Sequence, residues 1–166
     1  PQQNQRVPAP PSPPRQSRSS ENIVFSEQAK QLASLAQEIA EKHVRPNAAK
    51  YDKLQQYNYD AARAVAEAGL FKTFVPVEYG GHGAGVLALA MVTEELARAD
   101  SGFGVAYAVN ALGSFPIILG GTEEQKKRWL PHIARGEKFV AFCLSEKFAG
   151  SDAGSMRSFS SSATAR

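Results

Sequence analysis

The sequence predicts a mainly α-helical fold, and three observations carry that prediction. Behind Ser26, a residue type that caps helices, apolar and amphipathic side chains recur at three- and four-residue spacing: Leu32, Leu35, Ile39 and His43. Thr122 and Gln125 have the spacing of a capping box, which opens a helix. The first run with β character, residues 139–144, comes late in the chain. We therefore expect a helical domain followed by the first strand of a sheet.

The helices can be placed in order from their start and stop signals. The first begins after Ser26 and is expected to stop at Pro46. A second spans about residues 60–68 and is followed by Gly69, where a left-handed residue ends a helix well. The glycine-rich stretch 80–85 then predicts a flexible loop leading into a helix over residues 86–98.

Two further helices follow. The apolar stretch from Ser101 to Leu119 predicts a buried helix that is broken at Pro116 and closed by Gly120 and Gly121. The helix opened by the capping box is expected to bend or end at Pro131.

The glycine-rich stretch invites comparison with a dinucleotide-binding fingerprint. Gly81 and Gly83 have the first spacing of that motif, but Val86 stands where its last glycine belongs. No βαβ unit surrounds the stretch, so a Rossmann fold is not expected.

Length and composition limit the remaining classes. At 166 residues and 43% hydrophobic, the chain is long enough for one ordinary domain. The net charge of +3 comes from three arginines in the first twenty residues, and the other charges cancel, so a nucleic-acid surface is not expected. The uninterrupted apolar stretches are short, for example residues 85–92 and 104–109, which predicts no integral membrane segment.

The sequence predicts four segments along the chain. Residues 1–22, rich in Pro, Ser and Gln, are expected to be a disordered leader, with a plain linker favoured over a transit peptide. Residues 23–137 are the helical amino-terminal domain, and 138–157 are the start of a middle β domain. Residues 158–166 are a serine-rich tail that is expected to be disordered. Because the first residue is Pro1 rather than Met, we expect the true start to lie upstream.

No metal or catalytic cluster is predicted. The single Cys143 cannot form an internal disulfide, and the three histidines have no partner at metal-ligand spacing. Glu94 and Glu95 are adjacent and so about 100° apart around a helix, which prevents them from acting as an acid and base pair.

The stretch 142–154 is the most informative for function. It runs from the predicted strand into a loop of small hydroxyl and glycine residues, and such loops expose backbone N–H groups to ligands. An ordinary surface turn is an equal alternative on composition alone.

The residues Cys143-Leu144-Ser145-Glu146 followed by Ala149-Gly150-Ser151-Asp152 resemble the first signature of the acyl-CoA dehydrogenase family. The resemblance spans about residues 25–157 and includes upstream motifs: Phe25-Ser26-Glu27, Gly69-Leu70, Glu78-Tyr79-Gly80-Gly81, Glu94-Glu95-Leu96-Ala97 and Gly121-Thr122-Glu123-Glu124-Gln125.

The resemblance implies an FAD enzyme that oxidises acyl-CoA thioesters. In such enzymes a glutamate removes the α proton, a hydride passes from the β carbon to the flavin, and an electron-transferring flavoprotein takes the electrons. It implies that Phe142, Leu144 and Ser145 contact the flavin ring, and that Gly150 and Ser151 meet the flavin's phosphate arm or the substrate's pantetheine. Asp152 is expected to hold the loop's shape. Four small residues would line the acyl pocket, although any core helix looks similar: Val105, Ala108, Val109 and Leu112.

The resemblance also implies what the chain lacks. The rest of the middle sheet domain and the carboxy-terminal bundle, which supplies the catalytic glutamate in the family, are not in the sequence, and Lys147 replaces a common proline. We expect an amino-terminal fragment that is inactive alone, from a homodimer or homotetramer of the mitochondrial matrix in a eukaryote or the cytoplasm in a bacterium. A flavin oxidase or monooxygenase of the same fold, or a non-catalytic helical module, are the alternatives.

Overall fold

The computed structural model describes residues 25–158. The predictions for the leader at 1–22 and for nearly all of the tail at 158–166 therefore lie outside the described residues. Within that range the fold is mainly helical, as predicted, and its α-helices are α1 (Glu27–Ile39), α2 (Ala48–Leu54), α3 (Tyr59–Glu67), α4 (Gly85–Ala99), α5 (Ser101–Gly120) and α6 (Glu123–Ala134).

The predicted helix caps are present. The Ser26 hydroxyl accepts a hydrogen bond from the Ala29 N–H at 3.1 Å. The capping box at Thr122 is complete, because Thr122 and Gln125 each donate a backbone N–H to the other's side chain. Gly69 has a φ of 73°, the left-handed conformation expected after α3. These local signals fix where three of the helices begin or end.

The first helix continues differently from the prediction. It does not stop at Pro46: α1 ends at Ile39, and helical backbone continues through a π-turn (Ala40–Val44) and a 3-10 turn (Arg45–Asn47) into α2. Proline lacks only an N–H, which the first turn of a helix does not use, so Pro46 fits where a new helical segment begins. The sequence analysis missed α2 for this reason.

The expected break in α5 at Pro116 and the expected end of α6 at Pro131 are wrong, while the alternative of a bend at Pro131 stays a prediction. Both helices continue past the proline, α5 to Gly120 and α6 to Ala134. Each proline leaves one carbonyl unpaired four residues earlier, at Leu112 and Lys127, and both of these residues are exposed. Water can therefore satisfy the two carbonyls.

The core lies where α4 packs between α1 and α5. Gly104 of α5 faces Ala97 of α4 so closely that a Cβ on Gly104 would lie 2.6 Å from the Ala97 Cβ. Tyr107 is 1% exposed, and its hydroxyl donates to the Leu70 carbonyl at 2.8 Å. This close packing holds α5, the helix next to the candidate site, in one position.

By length and composition alone, α5 is apolar enough to cross a membrane, with 39% of its most apolar window buried. The apolar length of this helix therefore exceeds the short uninterrupted stretches seen in the sequence. Its buried polar side chains, Asn110 and Ser114, lie in the protein core, the environment expected for a core helix of a helical domain.

The predicted strand over residues 139–144 is not formed. Among residues 25–158 there is no β-strand, and the β pairing is confined to an isolated antiparallel bridge between Glu146 and Ala149. A strand needs a second strand to receive its backbone hydrogen bonds, and no described segment pairs with 139–144 in this way.

Candidate functional site

The segment 139–141 leaves the helical core at a well-anchored point. The Phe139 ring packs edge to face against Phe71 with ring centroids 5.5 Å apart, and against Tyr57 at 6.2 Å. Such aromatic pairs contribute beyond their buried area. The chain is thus fixed directly before the residues predicted to contact the flavin.

Two residues of α5 hold the next positions. The Asn110 side-chain oxygen accepts a hydrogen bond from the Val140 N–H at 2.7 Å, and Asn110 is 2% exposed. A Cβ on Gly113 would lie 2.8 Å from the Val140 Cγ1 and 3.1 Å from the Ala141 oxygen, so the segment lies directly against the helix backbone.

The next residues offer unpaired backbone donors. Within residues 25–158, the N–H groups of 141–145 donate to no protein acceptor. Phe142 and Ser145 are exposed, and Leu144 is half-buried. The structure therefore places the three predicted flavin-ring residues on one accessible segment whose amides have no acceptor among the described residues.

A carboxylate closes the loop that follows. Glu146 pairs with Ala149 through the backbone, and its carboxylate accepts the N–H groups of Arg157 and Ser158, each at 2.9 Å. The hydrogen bond from the Arg157 backbone is the main cause that lowers the pKa of Glu146, and bonds from Ser158 add to it. Glu146 thus holds both ends of the loop that contains Gly150 and Ser151.

Inside this loop, Asp152 accepts hydrogen bonds from the Ser155 hydroxyl and N–H, consistent with its predicted role in holding the loop's shape. Gly150 and Ser151 are exposed. A Cβ on Gly150 would meet nothing within 4 Å, and its φ is not in the left-handed region. The described chain itself therefore gives no steric reason for glycine at this position.

The four predicted acyl-pocket residues share one face of α5. Val105 and Leu112 are 61% and 43% exposed, and Ala108 and Val109 between them are partly buried. This apolar face points away from the described core. It lies close to the predicted flavin-contacting segment, because Gly113, next to Leu112, packs against Val140 and Ala141.

Nothing in the sequence pointed to Asn110 and Gly113, and Glu146 was predicted only as part of the signature, without its role as an acceptor. A lone asparagine in an apolar stretch carries no periodic signal, and its partner lies 30 residues away. Of the two adjacent glutamates, Glu94 forms an exposed ion pair with Arg98 at 2.9 Å. Among the described residues, no group of three His, Cys, Asp or Glu side chains could hold a metal ion.

The helical fold agrees with a sequence comparison. Residues 26–137 match the family model described as acyl-CoA dehydrogenase, N-terminal domain. The chain belongs to the acyl-CoA dehydrogenase family.

Individual relatives and solved structures are similar to most of the chain. The probable acyl-CoA dehydrogenase fadE25 of Mycobacterium leprae is 40% identical over 131 residues, which are 79% of this chain and 34% of the relative. A chain in the structure of the electron transferring flavoprotein of Acidaminococcus fermentans has a TM-score of 0.76 at 34% identity, covering 82% of this chain and 36% of that one.

The Bacillus anthracis acyl-CoA dehydrogenase complexed with FAD has a TM-score of 0.67 at 36% identity, covering 78% of this chain and 22% of that one. The present chain thus spans between 22% and 36% of the length of these three proteins.

Proposed function

We propose that this chain is the amino-terminal part of a longer FAD-dependent enzyme that dehydrogenates an acyl-CoA thioester between its α and β carbons. The observation that carries the proposal is the accessible run of N–H groups at 141–145, which leads into the family signature and has no protein acceptor among residues 25–158. Support also comes from the Bacillus anthracis relative, an acyl-CoA dehydrogenase whose structure is a complex with FAD.

The residues present fit such a cofactor. The flavin ring has a polar edge of carbonyl and nitrogen acceptors, and successive backbone N–H groups near Leu144 and Ser145 are suitable donors. The Ser145 hydroxyl adds a donor on an exposed side chain. Gly150 leaves open space where a phosphate or pantetheine group can approach the backbone. FAD, when bound, supplies the acceptor for the two electrons removed from the thioester.

The chain's own residues then have defined tasks. The N–H groups of 142–145 are oriented before the ligand arrives, because Phe139 and Val140 are already fixed to the core. Donors that are held in place in this way stabilise negative charge on a reduced ring without further rearrangement. The apolar face of α5 around Val105 and Leu112 excludes water and accepts the acyl chain. The proton-abstracting carboxylate comes from the part of the protein beyond this chain.

The test uses the full-length protein that contains this chain. We expect it to purify with FAD or to bind added FAD, and its flavin absorbance to bleach when acyl-CoA is added without oxygen. Electron-transferring flavoprotein should accept the electrons, and Ser145→Ala should weaken FAD binding by about three- to tenfold, the loss expected for one neutral hydrogen bond. A full-length protein that binds no flavin would overturn the proposal.

The oxygen-reactive alternative is separated by the same preparation. An oxidase or monooxygenase would consume oxygen in step with acyl-CoA oxidation, without added electron acceptor. A dehydrogenase would turn over slowly in oxygen and quickly with the acceptor protein. The 166-residue chain alone is expected to bind FAD weakly or not at all, because it holds only one side of the proposed site.

A further inference from the structure

Asn110 makes a hydrogen bond that is unusual for its position in an apolar helix. Its side-chain oxygen faces out of α5 and accepts the Val140 N–H at 2.7 Å, although the residue is 2% exposed. Only the oxygen can accept from an N–H, so this contact fixes the orientation of the amide. A buried side chain of the helix thus pairs with the one backbone donor that directly precedes the unpaired run 141–145.

Gly113, about one helical turn after Asn110, leaves the space that lets the segment 139–141 lie against α5. A side chain there would collide with Val140 and with the Ala141 backbone at about 3 Å or less, as the Cβ position at 2.8 Å from the Val140 Cγ1 indicates. The glycine is not required by backbone conformation, because its φ is in the helical region. By contrast, a Cβ on Gly120 of the same helix would meet nothing within 4 Å. The close approach of segment 139–141 is therefore the reason for glycine at 113.

Both contacts lie on the helix that carries the predicted acyl wall. Asn110 and Gly113 hold the segment on one side of α5, while Val105 and Leu112 are exposed on another. One rigid helix thus sets the distance between the amides at 142–145 and the surface that would receive the acyl chain.

We propose that Asn110, with the space left by Gly113, is a positioning residue that holds the flavin-contacting amides in register with the acyl-binding face of α5. This rests on the proposed function, because it assigns those amides to FAD. Asn110 touches neither cofactor nor substrate; it acts through Val140.

The first experiment compares Asn110→Leu with Tyr107→Phe in the full-length protein. Leucine is similar in volume but cannot accept the Val140 N–H. Tyr107→Phe is a matched control, because it also removes one buried hydrogen bond of α5, to the Leu70 carbonyl, but leaves segment 139–141 untouched.

We expect Asn110→Leu to raise the Kd for FAD about tenfold and to lower kcat more than it raises KM. Tyr107→Phe should change the FAD Kd by less than about twofold, although both variants lower the melting temperature. Equal effects of the two variants on FAD binding would overturn the proposal.

A second measurement needs no flavin. Hydrogen exchange of the Val140 amide, followed in the flavin-free protein, should be slow in the wild type and in Tyr107→Phe and at least about tenfold faster in Gly113→Ala, with Gly120→Ala as the control of equal chemistry. If FAD is not bound but these exchange rates differ as expected, the proposed function fails while the local contact stands. If Val140 exchanges equally fast in all four proteins, the positioning role is refuted whatever the cofactor.

Discussion

The Tyr79 hydroxyl donates a hydrogen bond to the Glu123 carboxylate at 2.8 Å, joining two segments that are 44 residues apart. Tyr79 lies in the 3-10 turn Val77–Tyr79 before the glycine-rich loop, and Glu123 is the first residue of α6. This bond is the main cause that lowers the pKa of Glu123, with Lys126 adding to it, and the same bond raises the pKa of Tyr79. A carboxylate is also favoured there by the amino-terminal end of the helix.

Tyr79→Phe is therefore expected to destabilise the domain in a pH-dependent way. Because the pKa of Glu123 is lower in the folded chain than its ordinary value of 4.5, its stabilisation is present above that value and is lost as the pH falls through the lower folded pKa. Thermal unfolding followed by circular dichroism should show a lower melting temperature for the variant at pH 7 and a smaller difference near pH 3, well below 4.5.

The control is Tyr59→Phe, which removes a hydroxyl from a side chain that is 66% exposed. Its melting temperature should match the wild type at both pH values. A Tyr79→Phe difference that stays constant down to pH 3 would mean that the bond to Glu123 contributes no pH-dependent stability.

The contact between α4 and α5 leads to a prediction about packing. Gly104→Ala is expected to lower the free energy of unfolding by about 1–3 kcal/mol, the usual cost of overpacking a core. The new Cβ would lie 2.6 Å from the Ala97 Cβ and 2.8 Å from its Cα. Urea denaturation of the variant and the wild type measures the difference.

A double-mutant cycle tests the cause. Ala97→Gly removes the nearest of the three clashing atoms, so the double variant with Gly104→Ala should recover part of the loss. Recovery should be incomplete, because the Ala97 Cα and N remain within 3 Å of the new methyl group, at 2.8 and 2.9 Å. Strictly additive effects would place the cause elsewhere than in this contact.

Much of the fold could be predicted because its signals are local. The Ser26 cap, the Thr122 capping box and the left-handed Gly69 each act within a few residues, and all three are where the sequence predicts them. The effect of the prolines was predicted wrongly, because a helix can continue past a proline when water can reach the carbonyl that the proline leaves unpaired. That exposure is set by tertiary packing and is not visible in the spacing of side chains.

The site was predictable only in its residue types. The signature identified the segment around Ser145 and Ser151, but the contacts that hold it come from Asn110, Gly113 and the carboxylate of Glu146. These contacts join positions 11 to 30 residues apart, a separation at which no periodic pattern exists. The segment's lack of a strand has the same origin, because a sheet is a property of at least two segments.

The carboxylate of Glu146 makes the loop a local unit that can be opened. Glu146→Gln is expected to weaken the hydrogen bonds from the Arg157 and Ser158 backbones, because a neutral amide oxygen is a weaker acceptor than a carboxylate. Amide exchange at these two positions should become faster, while exchange in α4 and α5 stays unchanged.

The same opening should follow from acid in the wild type. The pKa of Glu146 is lowered in the folded chain from 4.5, so the carboxylate holds the two N–H groups above that value and releases them as the pH falls through its folded pKa. After correction for intrinsic exchange, protection of Arg157 and Ser158 should fall with acid in the wild type and depend little on pH in Glu146→Gln. If the pH dependence of protection is identical in both proteins, the Glu146 carboxylate is not the group that holds the two N–H groups.

A substitution at Gly150 can show whether the glycine is needed for folding or for ligand binding. Because a Cβ at this position meets nothing within 4 Å and the residue has no left-handed backbone, Gly150→Ala should change the free energy of unfolding by no more than about 0.5 kcal/mol. In the full-length protein, the same methyl group would obstruct a phosphate or pantetheine that approaches the backbone. We therefore expect weaker binding of FAD or of acyl-CoA, by about tenfold, measured by flavin fluorescence and by KM. Gly120→Ala, which also adds a methyl group into open space, should leave both unchanged. If Gly150→Ala binds both ligands as tightly as Gly120→Ala does, no ligand approaches the backbone at Gly150, and this loop contributes to the site only through its neighbours.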